Sequence, residues 1–403
     1  MPAEEKPYRV YRGGRTKGKV PAPARPGRRR DRGGSKRGSN GTDGPVDYRG
    51  PGAPRKRVSR GRKIAIGLVL LLVLLVVWGV TSFLAFRGGV EKANKRLDPN
   101  ARLALTDDPP GLLLSHETTI LLLGTDHSKV GGREGDRHSD SIMLVHTDPS
   151  KHRIAYLSIP RDLRVSIPGY LDQKINAAFQ IGGPTLALKT IKAFTGIDVN
   201  HIVIVDFADF RDLVDALGGV DINVPAPIVS NPFDCPYATE ERCQRWQGWR
   251  FARGPQHMDG RRALVYARIR ENRLDPSESD VTRSERQQRV LQAIAAKLTS
   301  PTTLAKMPFV GDEIATPLAT DLSAGQLAQL GWVKLRAPAS RALHCRLGGT
   351  GSTYGGQYVI EPSEDNRNVI AMVVGKSAPQ PPPPGSGPFG PGCVVGDEAL
   401  PRR

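Results

Sequence analysis

TTILLLGTD, residues 118–126, is an apolar run that does not alternate and that stops at Gly124. A strand covered on both faces reads this way, because neither face has to offer polar side chains to water. Two more strands follow, SIMLVHTD (141–148) and RIAYLSIP (153–160), separated by a Pro-Ser-Lys turn. GPTLALKTIKAFTG (183–196) then fits a helix, with Pro184 near its start and Gly196 at its end. HIVIVDF reads as a strand, FADFRDLVDALGG as a helix stopped by glycines, and VDINVP as a strand again. The longest clear helix is 283–300, with Val290, Leu291, Ile294 and Leu298 on one side. The expectation is an α/β domain with a central mixed sheet flanked by helices. Strand–helix alternation ends near residue 300. A further helix is expected within 313–335, terminal strands or loops over 341–374, and a polyproline-like spacer after 376.

The 403 residues carry a formal net charge of +18, but unevenly. Residues 1–63 hold 20 Lys and Arg against 5 Asp and Glu, so everything after them carries only +3. Basicity therefore belongs to a Gly-, Pro- and Arg-rich tail with little to bury, which is expected to be disordered. That argues against nucleic acid as a partner, and so does the scarcity of aromatics in the tail. Residues 64–86 contain no charge and are long enough to cross a bilayer. The basic flank on their N-terminal side predicts a retained single-pass anchor with the tail cytoplasmic and the rest extracellular. The expected division is a tail over 1–63, an anchor over 64–86 and a stalk over 87–115. A catalytic core over 116–300 follows, then a C-terminal part over 301–375 and a Pro/Gly-rich tail over 376–403. All four cysteines follow the anchor and none has metal-site spacing. Three pairings are open. In one, Cys235 with Cys243 closes a short loop and leaves Cys345 with Cys393 as a long-range staple.

Three clusters could carry chemistry. Asp126 ends the first strand, and Asp140 opens the second. Carboxylates so placed need a cation or a shared proton, and hard oxygen ligands beside phosphate favour Mg²⁺, or Mn²⁺ in its place. Asp136, between them, reads as a solvated loop residue. The second cluster is Arg161, just past a strand end, with Lys174 and Asn176 after a turn. In the third, YARIRENRLDPSESDVTRSERQQ (266–288), Arg268 and Arg270 alternate as in a strand, so they would face one way. Arg283 and Gln287 stand at i,i+4 on the following helix, with Arg286 beside them. Six cations in one pocket repel unless an anion fills it, and a pyrophosphate with a divalent metal would do so. No GxxxxGK[ST], HExxH, GxSxG or CxxC motif is present.

The stretches ILLLGTD, HSDSIMLV, LSIPRDLRVSIPG, KINAAFQIGGP, VDFADFRDLVDALGGVDINVP, HMDGRRALVYARIR and DVTRSERQQRVLQAI occur in order over residues 118–298. Together they resemble the LytR-CpsA-Psr family of bacterial cell-wall attachment proteins. The composition suggests a GC-rich actinobacterial source. The resemblance implies a Mg²⁺-assisted phosphotransferase. Such an enzyme moves a glycopolymer from a polyprenyl-pyrophosphate carrier to a peptidoglycan sugar hydroxyl at the membrane. It implies metal binding by Asp126 and Asp140 and pyrophosphate binding by Arg161, Lys174, Arg268 and Arg270. Asp280, Arg283 and Gln287 fall on the remaining pocket positions, with Asp280 a candidate for activating the acceptor. His138 stands where the family usually has Arg. The helix over 183–196, through Leu186, Leu188, Ile191 and Phe194, is a candidate wall for the prenyl chain. The competing readings are a hydrolase of prenyl pyrophosphates or polyphosphate, and a non-catalytic wall-polymer binding or regulatory protein.

Overall fold

The computed structural model describes residues 59–127, 137–233, 235–276, 280–386 and 389–396. Asp136 and residues 1–58 of the basic tail lie outside them. Helix α1 (Arg60–Arg96) is followed by the short α2 (Pro99–Leu103). The strands β1 (Thr118–His127), β2 (Arg137–Asp148) and β3 (Arg153–Ile159) form an antiparallel meander. A small hairpin, β4 (Arg164–Val165) with β5 (Gln173–Lys174), leads into α3 (Ala177–Thr195), then β6 (His201–Asp206), α4 (Phe207–Ala216) and β7 (Val220–Val224). Next come β8 (Ile228–Val229), α5 (Glu240–Gln244), β9 (Arg250–Phe251), β10 (Gly254–Met258), α6 (Gly260–Arg268) and α7 (Asp280–Leu298). The chain closes with α8 (Pro301–Ala315), β11 (Ala319–Thr320), α9 (Ala324–Arg336), β12 (Leu343–Arg346), β13 (Gly349–Tyr354), β14 (Gln357–Pro362), α10 (Asn366–Val373) and β15 (Gly392–Val395).

Seven strands make the central sheet, in the order β11-β6-β1-β2-β3-β12-β15. It is mixed: β6 runs parallel to β1 and β12 parallel to β3, while the other neighbours are antiparallel. Its central strands are covered on both faces, as the unalternating runs predict. Leu121 and Leu123 enter the core shared with α3 and α10, whereas Leu122 faces the cluster of Met143, Tyr156 and Val333 beneath α9. A second core lies under α4, α6 and α7, around Leu213, Ile222, Tyr266, Val290 and Ile294.

Several expectations need correction. The 266–270 stretch is not a strand. Asp259 caps α6 by accepting from the Arg262 N–H at 2.7 Å, and the helix runs through Arg268 before Ile269 turns extended. Residues 87–96 are not a separate stalk either. They continue α1, and Gly89 and Val90 are buried against the body of the domain. A Cβ on Gly89 would meet the Asp312 carbonyl oxygen at 2.5 Å, so only glycine admits this approach. The helix expected from 183 extends back to Ala177 across a kink at Gly182 and Gly183, where Gly183 takes φ 59°. Helices α8 and α10 were not anticipated. The proline-rich segment after 376 ends in β15, an edge strand of the main sheet. Both disulfides form, Cys235–Cys243 and Cys345–Cys393.

Candidate active site

The meander ends its strands at one edge of the domain, and there the charged segments gather. A register shift between Gly124 and Thr125 pairs Gly124 with Ser141 and Thr125 with Ser139, leaving Asp140 as the extra residue of a bulge. Bulges re-aim side chains at strand ends. The Asp126 backbone pairs with His138 in the same stretch. The side chains of Asp126, His138 and Asp140 lie outside the described residues, as does that of Asp280, the first residue of α7. Among the described residues no group of three or more His, Cys, Asp or Glu is arranged to hold a metal ion.

Two adjoining cavities open beside these strand ends. The larger, about 300 Å³, is lined by Phe207, Phe233, Arg268, Arg270 and Glu271 among others. The smaller is lined by Ser158, Arg161, Asp162, Arg346 and Phe389, again with others. Arg283 and Gln287, from the first turns of α7, belong to both walls. The Ser141 hydroxyl donates to Gln287 Oε1 at 2.9 Å, tying α7 to β2 at the seam. Among the described residues, five arginines and two carboxylates thus line the joined space.

Arg268 is held by aromatic faces. Its guanidinium carbon lies 4.5 Å from the Phe207 ring centre and 5.9 Å from that of Phe233. Such stacking fixes the plane of the fork while its N–H edge remains the polar side. Phe207 arrives here because α4 starts directly at the end of β6, the strand parallel to β1.

At the other end, Asp162 organises the basic residues. It is buried, and Lys174 Nζ donates to its Oδ1 at 2.9 Å while Arg161 Nε lies 3.5 Å from its Oδ2. Burial works to raise its pKa. The Lys174 hydrogen bond and the charges of Arg161, Lys174 and Arg283 outweigh this and hold it below the usual range. The β4–β5 hairpin makes the pairing possible by setting Arg164 opposite Lys174, with the Asn176 N–H bonded to the Arg161 carbonyl at 3.2 Å.

Of the six cations singled out in the sequence, Arg161, Arg268, Arg270 and Arg283 line the cavities. Lys174 stands behind Asp162, and Asn176 is a buried residue at the start of α3. Arg286 is placed elsewhere: it is buried and donates to the Ile269 carbonyl and, at 3.1 Å, to Thr282 Oγ1, so it braces the turn that carries Arg270. Leu188 and Ile191 of α3 are buried in the sheet core, with Leu186 and Phe194 packed at its margin. Asp162, Phe207, Phe233 and Arg346 were missed. Arg346 is fully buried, donates from Nε to the Gly390 carbonyl at 3.0 Å, and lies 3.9 Å from Glu285.

Known proteins are similar to this chain in sequence and fold. TagV of Bacillus subtilis (strain 168), a polyisoprenyl-teichoic acid–peptidoglycan teichoic acid transferase, is 29% identical over 273 residues, covering 65% of each chain. The enterococcal protein TagU, of the same activity name in Enterococcus faecalis, is 27% identical over 301 residues, 73% of this chain and 90% of its own. A solved structure of TagT bound to LIIa-WTA superposes with a TM-score of 0.51 at 25% identity, covering 67% of this chain and 94% of that one. The model of the LytR_cpsA_psr family matches residues 88–372, which takes in the meander, both cores and every arginine of the joined cavities. The chain therefore belongs to the LytR_cpsA_psr family.

Proposed function

We propose that this protein is a phosphotransferase that moves a glycopolymer from a polyprenyl-pyrophosphate carrier to a sugar hydroxyl of peptidoglycan. The observation that carries the reading is the joined pair of cavities with five arginines on its walls. Such an excess of fixed cations suits a pyrophosphate, whose charge no set of neutral hydrogen-bond donors would balance. Support also comes from the family and from the activity names of TagV and TagU.

In this scheme the acceptor hydroxyl oxygen forms a bond to the glycan-linked phosphorus. The bond from that phosphorus to the bridging oxygen breaks, and polyprenyl phosphate leaves with the electron pair. The hydroxyl proton passes to a carboxylate, for which Asp280 at the start of α7 is the candidate. Arg268 and Arg270 grip phosphate oxygens from the wider cavity. Arg161 and Arg283 neutralise charge from the narrower one, with Lys174 acting through Asp162. Asp126 and Asp140 suit Mg²⁺ by donor chemistry and by their place at adjoining strand ends, and bound Mg²⁺ would supply further charge neutralisation. Helix α1 is long and apolar enough to cross a membrane. With its N-terminal side cytoplasmic, the domain lies outside the cell beside lipid carriers.

The test uses the full chain in lipid nanodiscs with a synthetic polyprenyl-pyrophosphate oligosaccharide, peptidoglycan and Mg²⁺. Expected are release of polyprenyl monophosphate and covalent sugar on the wall, both lost in an Arg268→Ala/Arg270→Ala variant. Release without attachment identifies a hydrolase and overturns the proposal.

A further inference from the structure

Helices α1 and α8 run side by side in the same direction. Trp78 Nε1 donates to the Ala305 carbonyl at 3.2 Å, and a Cβ on Gly311 would stand 3.0 Å from the Phe86 nitrogen. Gly89 lies against Asp312 and Ala315, and Lys92 Nζ donates to Asp312 Oδ2 at 2.6 Å. Small residues at Gly89 and Gly311 let the backbones approach closely. The contact therefore begins inside the uncharged run 64–86 and continues past its end. Trp78 precedes Phe86 by eight residues, which is about 12 Å along a helix axis.

The two halves of α8 differ in chemistry. From Gly311 onward it is mostly buried and carries Asp312 and Glu313. Its first nine residues, PTTLAKMPF, contain no acid and one lysine, and most of them are exposed. Phe309 is 81% exposed and Leu304 39%. On α1, between the Trp78 and Phe86 contacts, Phe83 and Leu84 are 46% and 56% exposed. This apolar patch is continuous with the bare surface of residues 64–77, which the rest of the fold leaves uncovered. A soluble protein does not keep such a patch open to water.

We propose that the first half of α8 is a second membrane contact, sharing the bilayer with the outer end of α1. The occupant of the patch is phospholipid acyl chain, and the α1–α8 pair sets the domain at one fixed height and tilt over the lipid surface. Lys306, the one charge there, is long enough to reach the headgroups. The inference rests on α1 being a membrane anchor, and the experiment separates the two.

The full-length protein is reconstituted in phosphatidylcholine/phosphatidylglycerol vesicles that contain a phospholipid with a photoactivatable diazirine midway along one acyl chain. After irradiation, labelled peptides are mapped by mass spectrometry. Lipid adducts are expected on residues 64–77 and on 301–309, with none on α5 or α10. In a Leu304→Asp/Phe309→Asp variant the α8 adducts fall roughly ten-fold while those on 64–77 persist, since charge expels an interfacial helix face. Both positions are surface-exposed, so the melting temperature of the variant stays near that of the parent. Adducts on 64–77 alone overturn the second contact and leave the anchor standing. Absence from both segments refutes the anchor as well. Adducts on 301–309 that persist undiminished in the Leu304→Asp/Phe309→Asp variant also overturn the proposal, since they do not come from a contact made through those two side chains.

Discussion

Asp162→Asn is the substitution that most directly tests how the cationic site is held together. The carboxylate is 6% exposed and sits between Lys174 at 2.9 Å and Arg161 at 3.5 Å, with Arg283 also acting on it. Asparagine keeps the shape but removes a buried negative charge that offsets these cations. Loss of one partner from a buried ion pair costs about 3–5 kcal/mol, mostly because the remaining charges stay buried. For a folded region of this size that is a fall of about 4–7 °C in melting temperature. A ligand effect of opposite sign accompanies it. Without Asp162 the cavity attracts anions more strongly, so inorganic pyrophosphate binds more tightly to the variant. Saturating pyrophosphate then stabilises the variant more than the parent and narrows the gap.

Differential scanning fluorimetry with and without pyrophosphate, paired with calorimetric titration, reads both effects. The pH dependence adds a third check. The folded-state pKa of Asp162 is depressed, so its contribution is complete above its ordinary value of 3.8 and is lost as pH falls further. The difference between parent and variant should therefore shrink in acid. Equal melting temperatures at neutral pH, or a gap that pyrophosphate leaves unchanged, would refute the role of Asp162 as the internal counter-ion.

Arg268→Lys keeps the charge but loses the planar contact with Phe207 and Phe233. Pyrophosphate affinity should drop about ten-fold, matching a loss of 1–2 kcal/mol, by calorimetry. His146 is buried, and burial first, with Arg153 next, lowers its pKa to about 4. Between pH 6.5 and 4 the unfolded chain binds a proton that the folded chain does not. Unfolding free energies from urea melts should therefore decrease as pH falls through this range, by about 3 kcal/mol in total, and the slope should flatten in His146→Gln. The Cys345–Cys393 bridge spans 48 residues and Cys235–Cys243 spans 8. By loop-closure entropy Cys393→Ser costs about 4 kcal/mol and Cys243→Ser about 2.5, an order that denaturant melts can check.

The sheet was legible because a strand buried on both faces leaves a mark that no neighbouring element is needed to interpret. Leu121, Leu122 and Leu123 are such a mark, and the structure gives each a covered face. The basic residues were legible for a related reason, since Arg161, Arg268, Arg270 and Arg283 cluster at element ends. Misreadings came where a short pattern mimics another period. Arg268, Ile269 and Arg270 alternate only because a helix ends and an extended turn begins between them. Helix α8 hid behind Pro308 and Gly311, yet Ser300 caps it and Pro301 suits its first turn. Arg346 could not be placed locally. It reaches the site because β12 lies parallel to β3, and only the neighbouring Cys345 hints at that clamp.

The placement of the site follows from the two cores. The sheet core delivers Arg161 and Arg346 from β3 and β12, and the second core delivers Arg268 and Arg270 from the end of α6. Helix α7 joins them: Val290 and Ile294 enter the second core, Leu291 packs toward the sheet, and Arg283 and Gln287 stand on both cavity walls. Each core is satisfied by its own apolar contacts, so neither is disturbed by the charge at their seam. The repulsion among the arginines is therefore borne where the two cores meet, with Asp162 and Glu271 as partial relief. An anion bound there would be gripped at once by arginines that the sheet core and the second core each hold in place.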